Sequence, residues 1–216
     1  MIRAVISDFG GVLTTPLTGS FRALADQLGI EVATMGQAFA TFAERAGAHP
    51  VHELECGRMT EDAFAAGLQR ALSDAIGREV EFAAFSDTLW AGLLPNEPMI
   101  ALMASLRAEG YKMALLTNNV REWEPRWRAM APIDDIFELV IDSARVGMRK
   151  PEPAIYELTL ARLGVPADAC LFVDDLEDNC AAAQAVGMNI VRYLDVEQAT
   201  AEIRAALDGG GGDGER

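Results

Sequence analysis

Two kinds of hydrophobic pattern alternate along the chain: short, nearly continuous apolar runs, and longer stretches whose apolar residues recur every three or four positions. Ile2-Arg3-Ala4-Val5-Ile6-Ser7 is short, rich in β-branched residues and stopped by Asp8-Phe9-Gly10-Gly11, where paired glycines free the backbone for a tight turn. It predicts a strand with a carboxylate at its C-terminal end. Three further runs have the same form: 111–116 before Thr117-Asn118-Asn119, 139–141 before Asp142-Ser143, and 170–173 before Asp174-Asp175. A fifth, 189–193, completes the set. Between them, 97–109 gathers Ile100, Met103 and Leu106 on one helical face, 153–163 is also amphipathic, and the Ala-rich stretch 178–186 is ended by Gly187. Strand and helix in alternation predict an α/β fold, a parallel sheet covered by helices on both faces.

Residues 16–95 break that alternation. They carry helical periodicity over 21–28, 35–42, 64–76 and 82–94 without a strand, and the Met and Phe residues of 35–42 are expected in a core of their own. Thr14-Thr15-Pro16 and Pro95-Asn96-Glu97-Pro98 bound the segment with punctuation that suits hinges. The expected organisation is a discontinuous core of 1–15 and 96–208 with an inserted all-helical cap at 16–95. The glycine-rich end, 209–216, cannot bury apolar surface and is expected to be a disordered tail.

Composition narrows the partners. Eighteen Lys and Arg against 33 Asp and Glu give a net charge of −15, which opposes broad attraction to nucleic acid or to an anionic membrane surface. The apolar runs fall far short of the roughly 20 residues a membrane span needs, and Arg3 with Asp8 interrupts a signal-peptide pattern. A cytoplasmic location is expected. Cys56, Cys170 and Cys180 are odd in number and form no CxxC pair, as expected of reduced thiols packed as small hydrophobes.

In an open parallel sheet, ligands bind beyond the carboxyl ends of the strands. Asp8, Thr117 with Asn118, and Asp174 with Asp175 all fall there, and Lys150 follows the third strand. Asp8 and Asp175 offer hard oxygen ligands for Mg²⁺, and Thr117, Asn118 and Lys150 offer donors and charge to phosphoryl oxygens. Each motif alone also fits an ordinary turn or helix cap. Their coincidence at one sheet edge favours a functional site. By contrast, Pro50 disfavours a helix carrying both His49 and His52, so a turn and no metal is expected there. Trp123 and Trp127, set among Arg121, Arg126 and Arg128, could line a pocket mouth, but their helical spacing favours packing.

The order of these groups resembles the haloacid dehalogenase-like superfamily. Asp8-Phe9-Gly10-Gly11-Val12-Leu13 is similar to its first motif, Leu116-Thr117-Asn118 to the second, Lys150-Pro151-Glu152 to the third, and Phe172-Val173-Asp174-Asp175 with Ala185-Val186-Gly187-Met188 to the fourth. Glu55-Cys56-Gly57-Arg58-Met59-Thr60, followed by Phe64, looks like a segment of the family's helical caps. The branch containing the N-terminal phosphatase domain of soluble epoxide hydrolase is the most similar in pattern. The resemblance implies a Rossmann-like core with a cap, and a Mg²⁺-dependent phosphatase acting on a small-molecule phosphate ester. Asp8 would attack phosphorus, Thr117 and Asn118 would bind phosphoryl oxygens, and Lys150 would neutralise the charge between them. Metal ligands would be Asp8, the carbonyl of Gly10 and Asp175, backed by Asp174 and Asn179, with the two aspartates exchangeable in that count. One position departs from the family: Gly10 stands where its phosphatases usually carry an acid/base aspartate. A 2-haloacid dehalogenase, or a weakened member that binds a phosphorylated ligand for regulation, are the alternatives. Substrate identity and oligomeric state are left open by the sequence.

Overall fold

The computed structural model describes residues 1–82 and 85–209. In chain order, β1 (Ala4–Ser7) leads into five helices, α1 (Thr18–Leu28), α2 (Val32–Ala46), α3 (Pro50–Glu55), α4 (Glu61–Ile76) and α5 (Phe85–Trp90). The alternating part follows as α6 (Glu97–Ala108), β2 (Lys112–Thr117), α7 (Glu124–Arg128), α8 (Ile133–Ile136), β3 (Leu139–Asp142), α9 (Ser143–Val146) and α10 (Pro153–Leu163). It ends with β4 (Cys170–Asp174), α11 (Glu177–Ala185), β5 (Asn189–Arg192) and α12 (Val196–Asp208). The five strands form one parallel sheet in the order β3-β2-β1-β4-β5. All five predicted strands are present, with ends shifted by one or two residues.

Successive side chains of a strand point to opposite faces, and the two faces of this sheet feed two separate cores. Val5, Met113, Leu115, Leu171 and Val173 pack under α6 and α12, whereas Ala4, Ile6, Ala114, Leu116 and Phe172 pack under α10 and α11. That double covering is why the strands read as continuous apolar runs. The sequence pattern left α12 unassigned, yet Ala199, Ile203 and Leu207 bury at four-residue spacing and the Asp195 side chain caps the helix by accepting from Gln198 N at 2.9 Å.

The inserted helices enclose an aromatic cluster in which Phe64 is tilted against Phe39, Phe42 and Phe85. Met35, Ala38 and Phe42 are buried in it, as their spacing predicts. The chain enters and leaves this layer side by side: Thr14 bridges Pro95, Thr15 N donates to Leu94 O at 2.9 Å, and Asn96 N donates to Leu13 O at 2.8 Å. The Asn96 amide also donates to Val12 O and to the Tyr193 hydroxyl, tying the crossing to the sheet edge. Two expectations change. The helix expected over 82–94 is described over Phe85–Trp90 as α5, with residues 83–84 outside the described set, and the turn expected at Pro50 is the start of a helix that holds only one of the two histidines. At the first helical position its missing N–H costs nothing, so His52 lies in α3 while His49 precedes it, their rings stacked at 4.1 Å. The tail from 210 lies outside the described residues. Among the described residues, no helix is long and apolar enough to cross a membrane.

Two glycines in the cap helices separate packing from helix propensity. A Cβ on Gly67 would sit 2.2 Å from the Phe42 ring, which Phe64 already hems in, whereas a Cβ on Gly36 would meet nothing within 4 Å. Gly67→Ala is expected to lower stability by about 1–3 kcal/mol through overpacking, and Gly36→Ala to raise it by up to about 1 kcal/mol. Urea denaturation midpoints of the two variants check this; shifts of the same sign would refute the packing of α2 on α4.

Candidate active site

Parallel pairing places the ends of β1 and β4 side by side, with Ser7 opposite Val173, so the next residues, Asp8 and Asp174, emerge as neighbours. Between their carboxylates lies the buried ammonium of Lys150, 2.8 Å from Asp8 Oδ1 and 2.6 Å from Asp174 Oδ2. The Phe172 ring lies 5.5 Å from that ammonium and adds a cation–π contact. Asp174 is fully enclosed and all its acceptor directions are used: Oδ1 accepts from Leu176 N and Asn179 Nδ2, and Oδ2 from Lys150 and Asn179 Nδ2. Asn179 is itself steadied by the Tyr156 hydroxyl, which donates to its carbonyl at 3.0 Å. Asn179 thus backs Asp174.

Asp175 differs. Its half-buried carboxylate accepts a hydrogen bond from no other residue among those described, and it lies across Gly11, where a Cβ would come within 2.3 Å of Oδ2. Gly11 also has φ +85°, so both the backbone conformation and the carboxylate require glycine. Asp8, Asp174 and Asp175 each present an oxygen within 4.8 Å of the others. Gly10 has open space around its Cα and no positive φ.

Thr117 ends β2, buried, with Oγ1 3.5 Å from Asn119 Nδ2. The Asn118 side chain pairs with the Lys150 backbone: its Oδ1 accepts from Lys150 N at 2.8 Å and its Nδ2 donates to Lys150 O at 2.9 Å. The amide therefore clamps the backbone that carries the central ammonium. Trp127 is wholly buried against Phe9 with Arg128 over its ring, a packing role, whereas Trp123 is buried and also lines the cavity above the site.

Three carboxylates share one ammonium, and the titration follows from that imbalance. Burial pushes Asp8 up to about 7, with Lys150 opposing and Asp174 and Asp175 adding to the rise. Asp175 is raised by burial and by Asp174. Burial disfavours the Lys150 ammonium, but Asp174 and Asp8 outweigh it and hold the group above its ordinary value.

A second polar contact joins the cap to this edge, and the sequence did not mark it. Arg149, beside Lys150, donates to Glu55 at 2.7 Å; Ser143 Oγ donates to Glu55 O at 2.6 Å and accepts from Asn119 N at 3.0 Å. Gly57 closes in at φ +65°, where a Cβ would sit 2.5 Å from Ala144 O. The only advance sign was the position of Glu55 in the cap-like segment and of Arg149 next to Lys150.

A family model for haloacid dehalogenase-like hydrolases matches residues 2–187, and the chain belongs to that family. It is 28% identical over 211 residues to mouse acyl-CoA dehydrogenase family member 10, covering 95% of this chain and 19% of that protein. With pig bifunctional epoxide hydrolase 2 the identity is 25% over 223 residues, 94% of this chain and 38% of the relative, so the chain spans well under half of either. A glyceraldehyde 3-phosphate phosphatase of Methanopyrus kandleri is 33% identical over 122 residues, 53% of this chain and 52% of its own. Among solved structures, a HAD family enzyme of Bacteroides thetaiotaomicron in complex with magnesium and inorganic phosphate superimposes with a TM-score of 0.66 at 23% identity, covering 89% of this chain and 94% of that one. An L-2-haloacid dehalogenase of Xanthobacter autotrophicus with covalently bound chloropropionic acid reaches 0.63 at 23% identity, covering 97% and 84%. These two likenesses establish the fold. The chain is thus a hydrolase of this family with phosphatase relatives and an aspartate cluster at the sheet edge.

The raised Asp8 value fixes the sign of a pH effect. A carboxyl whose folded-state value lies above its unfolded one stabilises the fold fully below about 3.8, and that contribution is lost as pH rises through about 7. Asp8→Asn removes the penalty. In EDTA, the melting temperature of the variant is expected to gain on that of the parent between about pH 5 and about pH 8; a difference that stays constant with pH would refute the assignment.

Proposed function

We propose that the chain is a Mg²⁺-dependent phosphatase that hydrolyses a small phosphorylated metabolite through an aspartyl-phosphate on Asp8. The observation that carries this is the buried Asp8–Lys150–Asp174 cluster with Asp175 left uncommitted beside it. Three carboxylates against one ammonium leave a negative excess that a divalent cation balances, and their oxygens are the hard donors Mg²⁺ prefers. Asp8, Asp175 and the Gly10 carbonyl would hold it, with Asp174 and Asn179 behind them. When bound, Mg²⁺ would neutralise charge on the phosphoryl oxygens and lower the repulsion between two anions.

The protein groups then divide the work. An Asp8 carboxylate oxygen forms a bond to phosphorus as the bond from phosphorus to the ester oxygen breaks. The departing alkoxide takes its proton from solvent, since Gly10 carries no side chain to supply one. Water next attacks phosphorus, the bond to Asp8 breaks, and inorganic phosphate leaves with the carboxylate regenerated. Lys150 holds positive charge beside Asp8 throughout, and the Thr117 hydroxyl is free to donate to a phosphoryl oxygen. Asn118, beside Thr117, would add to phosphoryl binding while its side chain fixes the Lys150 backbone. The phosphatase among the relatives supports this reading. The acidic balance and three buried free thiols support a small-molecule substrate and a cytoplasmic location.

Hydrolysis of p-nitrophenyl phosphate tests the proposal. Turnover should need Mg²⁺, stop reversibly with EDTA, and fall by at least about 10³-fold in Asp8→Asn, the nucleophile being indispensable. Turnover that survives either treatment would overturn it; halide release from a 2-haloacid in EDTA would indicate a dehalogenase, and stabilisation by phosphate esters without turnover a binding protein. The open space at Gly10 makes a gain-of-function variant feasible. Gly10→Asp should raise turnover of alkyl phosphates by about 10²-fold or more and of p-nitrophenyl phosphate far less, because only the poor leaving group needs the proton. Equal effects on both would mean that another group already supplies it.

A further inference from the structure

We infer that the organic part of the substrate is compact and apolar: the ester of a short alkyl or aryl alcohol, and not of a sugar or other polyol. The inference rests on the phosphatase reading above and assigns its substrate class. Directly over Gly10 and Thr117 lies a cavity of about 100 Å³ between cap and sheet edge. From the cap, Phe21, Val51, Leu54, Phe64 and Leu89 line it; from the core, Val120 and Trp123 do so.

Its few polar side chains are already engaged with the protein. Thr14 donates to Thr15 O, Asn118 is clamped on the Lys150 backbone, and Asn119 accepts from Val120 N and reaches Thr117. Glu55, the one charged residue among those lining the cavity, is bound to Arg149. The indole N–H groups of Trp90 and Trp123 have no hydrogen-bond partner among the described residues, so the wall offers two donors set in an otherwise aromatic and aliphatic lining. A polyol would lose its water contacts here and find replacements for only a few of its hydroxyls. A hydrocarbon body would bury apolar surface against the aromatic and aliphatic wall. The space is of the same order as the roughly 150 Å³ apolar cavity that holds benzene, so a body of about four to six carbons fills it.

The test compares kcat/KM for ethyl, butyl and hexyl phosphate with that for glycerol, ribose and glucose phosphates, and uses acetyl phosphate to report on the phosphoryl chemistry alone. kcat/KM should rise about fourfold per methylene from ethyl to butyl and level off once the cavity is filled. The sugar phosphates should fall at least about tenfold below butyl phosphate. Val51→Thr, isosteric at a half-buried position, should lower kcat/KM for butyl phosphate more than for acetyl phosphate. A flat alkyl series, a preferred sugar phosphate, or equal losses in Val51→Thr would overturn the apolar assignment while acetyl phosphate turnover leaves the phosphatase reading standing. Folded protein that hydrolyses none of these esters, nor the acyl phosphate, would overturn both.

Discussion

The ion cluster around Lys150 is the constraint on which the rest of this sheet edge depends. An ammonium with 1% of its surface exposed, between Asp8 and a fully enclosed Asp174, is tolerable only because each charge is paired and hydrogen-bonded. Removing one partner would leave the others buried and uncompensated. The surrounding residues can be understood as its supports: Asn118 fixes the Lys150 backbone, Asn179 and Leu176 N hold Asp174, Tyr156 steadies Asn179, and Phe9 N donates to Asp8. The register of β1 on β4 is part of the same device, since a slip of one residue would send Asp8 or Asp174 into a hydrophobic core.

Charge balance also separates the two adjacent aspartates. Asp174 spends its oxygens on the lysine and on amides. Asp175 has no such partners and is brought close to Asp8 by Gly11, which offers a backbone carbon where any other residue would have a side chain. The sequence left these two aspartates exchangeable because both follow the same strand. Only their hydrogen bonds distinguish them.

The parallel sheet was legible because it is buried on both faces, so each strand is a short apolar run ended by the polar residue it delivers to the edge. Asp8, Thr117, Lys150, Asp174 and Asp175 could be found that way. The contacts that crossed elements could not. Glu55 and Arg149 are 94 residues apart, and Ser143 reaches Glu55 across 88, so neither pairing leaves a local pattern. The helix α12 escaped because its buried residues are an alanine, an isoleucine and a leucine spaced among charges, too sparse a stripe to stand out. The backbone contacts of Asn118 could not be read in advance either, since an amide at a strand end can serve a ligand or the backbone equally well.

Chemistry and selectivity are divided between the two layers. At the sheet edge, charged groups are bound to one another around Lys150, where the proposed phosphoryl transfer would occur; above it, the cap contributes aromatic and aliphatic walls. Such an arrangement favours an apolar body over a heavily hydroxylated one, because most hydroxyls carried into the cavity would leave their water partners unreplaced. Gly10 fits the same division. The residue at that position opens onto the cavity without a side chain, so it leaves the floor apolar and gives up the proton donor that poor leaving groups need. The docking of Glu55 on Arg149 then does more than close a gap. It satisfies the single charge that the cap would otherwise carry into the cavity, and by binding the residue next to Lys150 it links the seating of the cap to the position of the central ammonium.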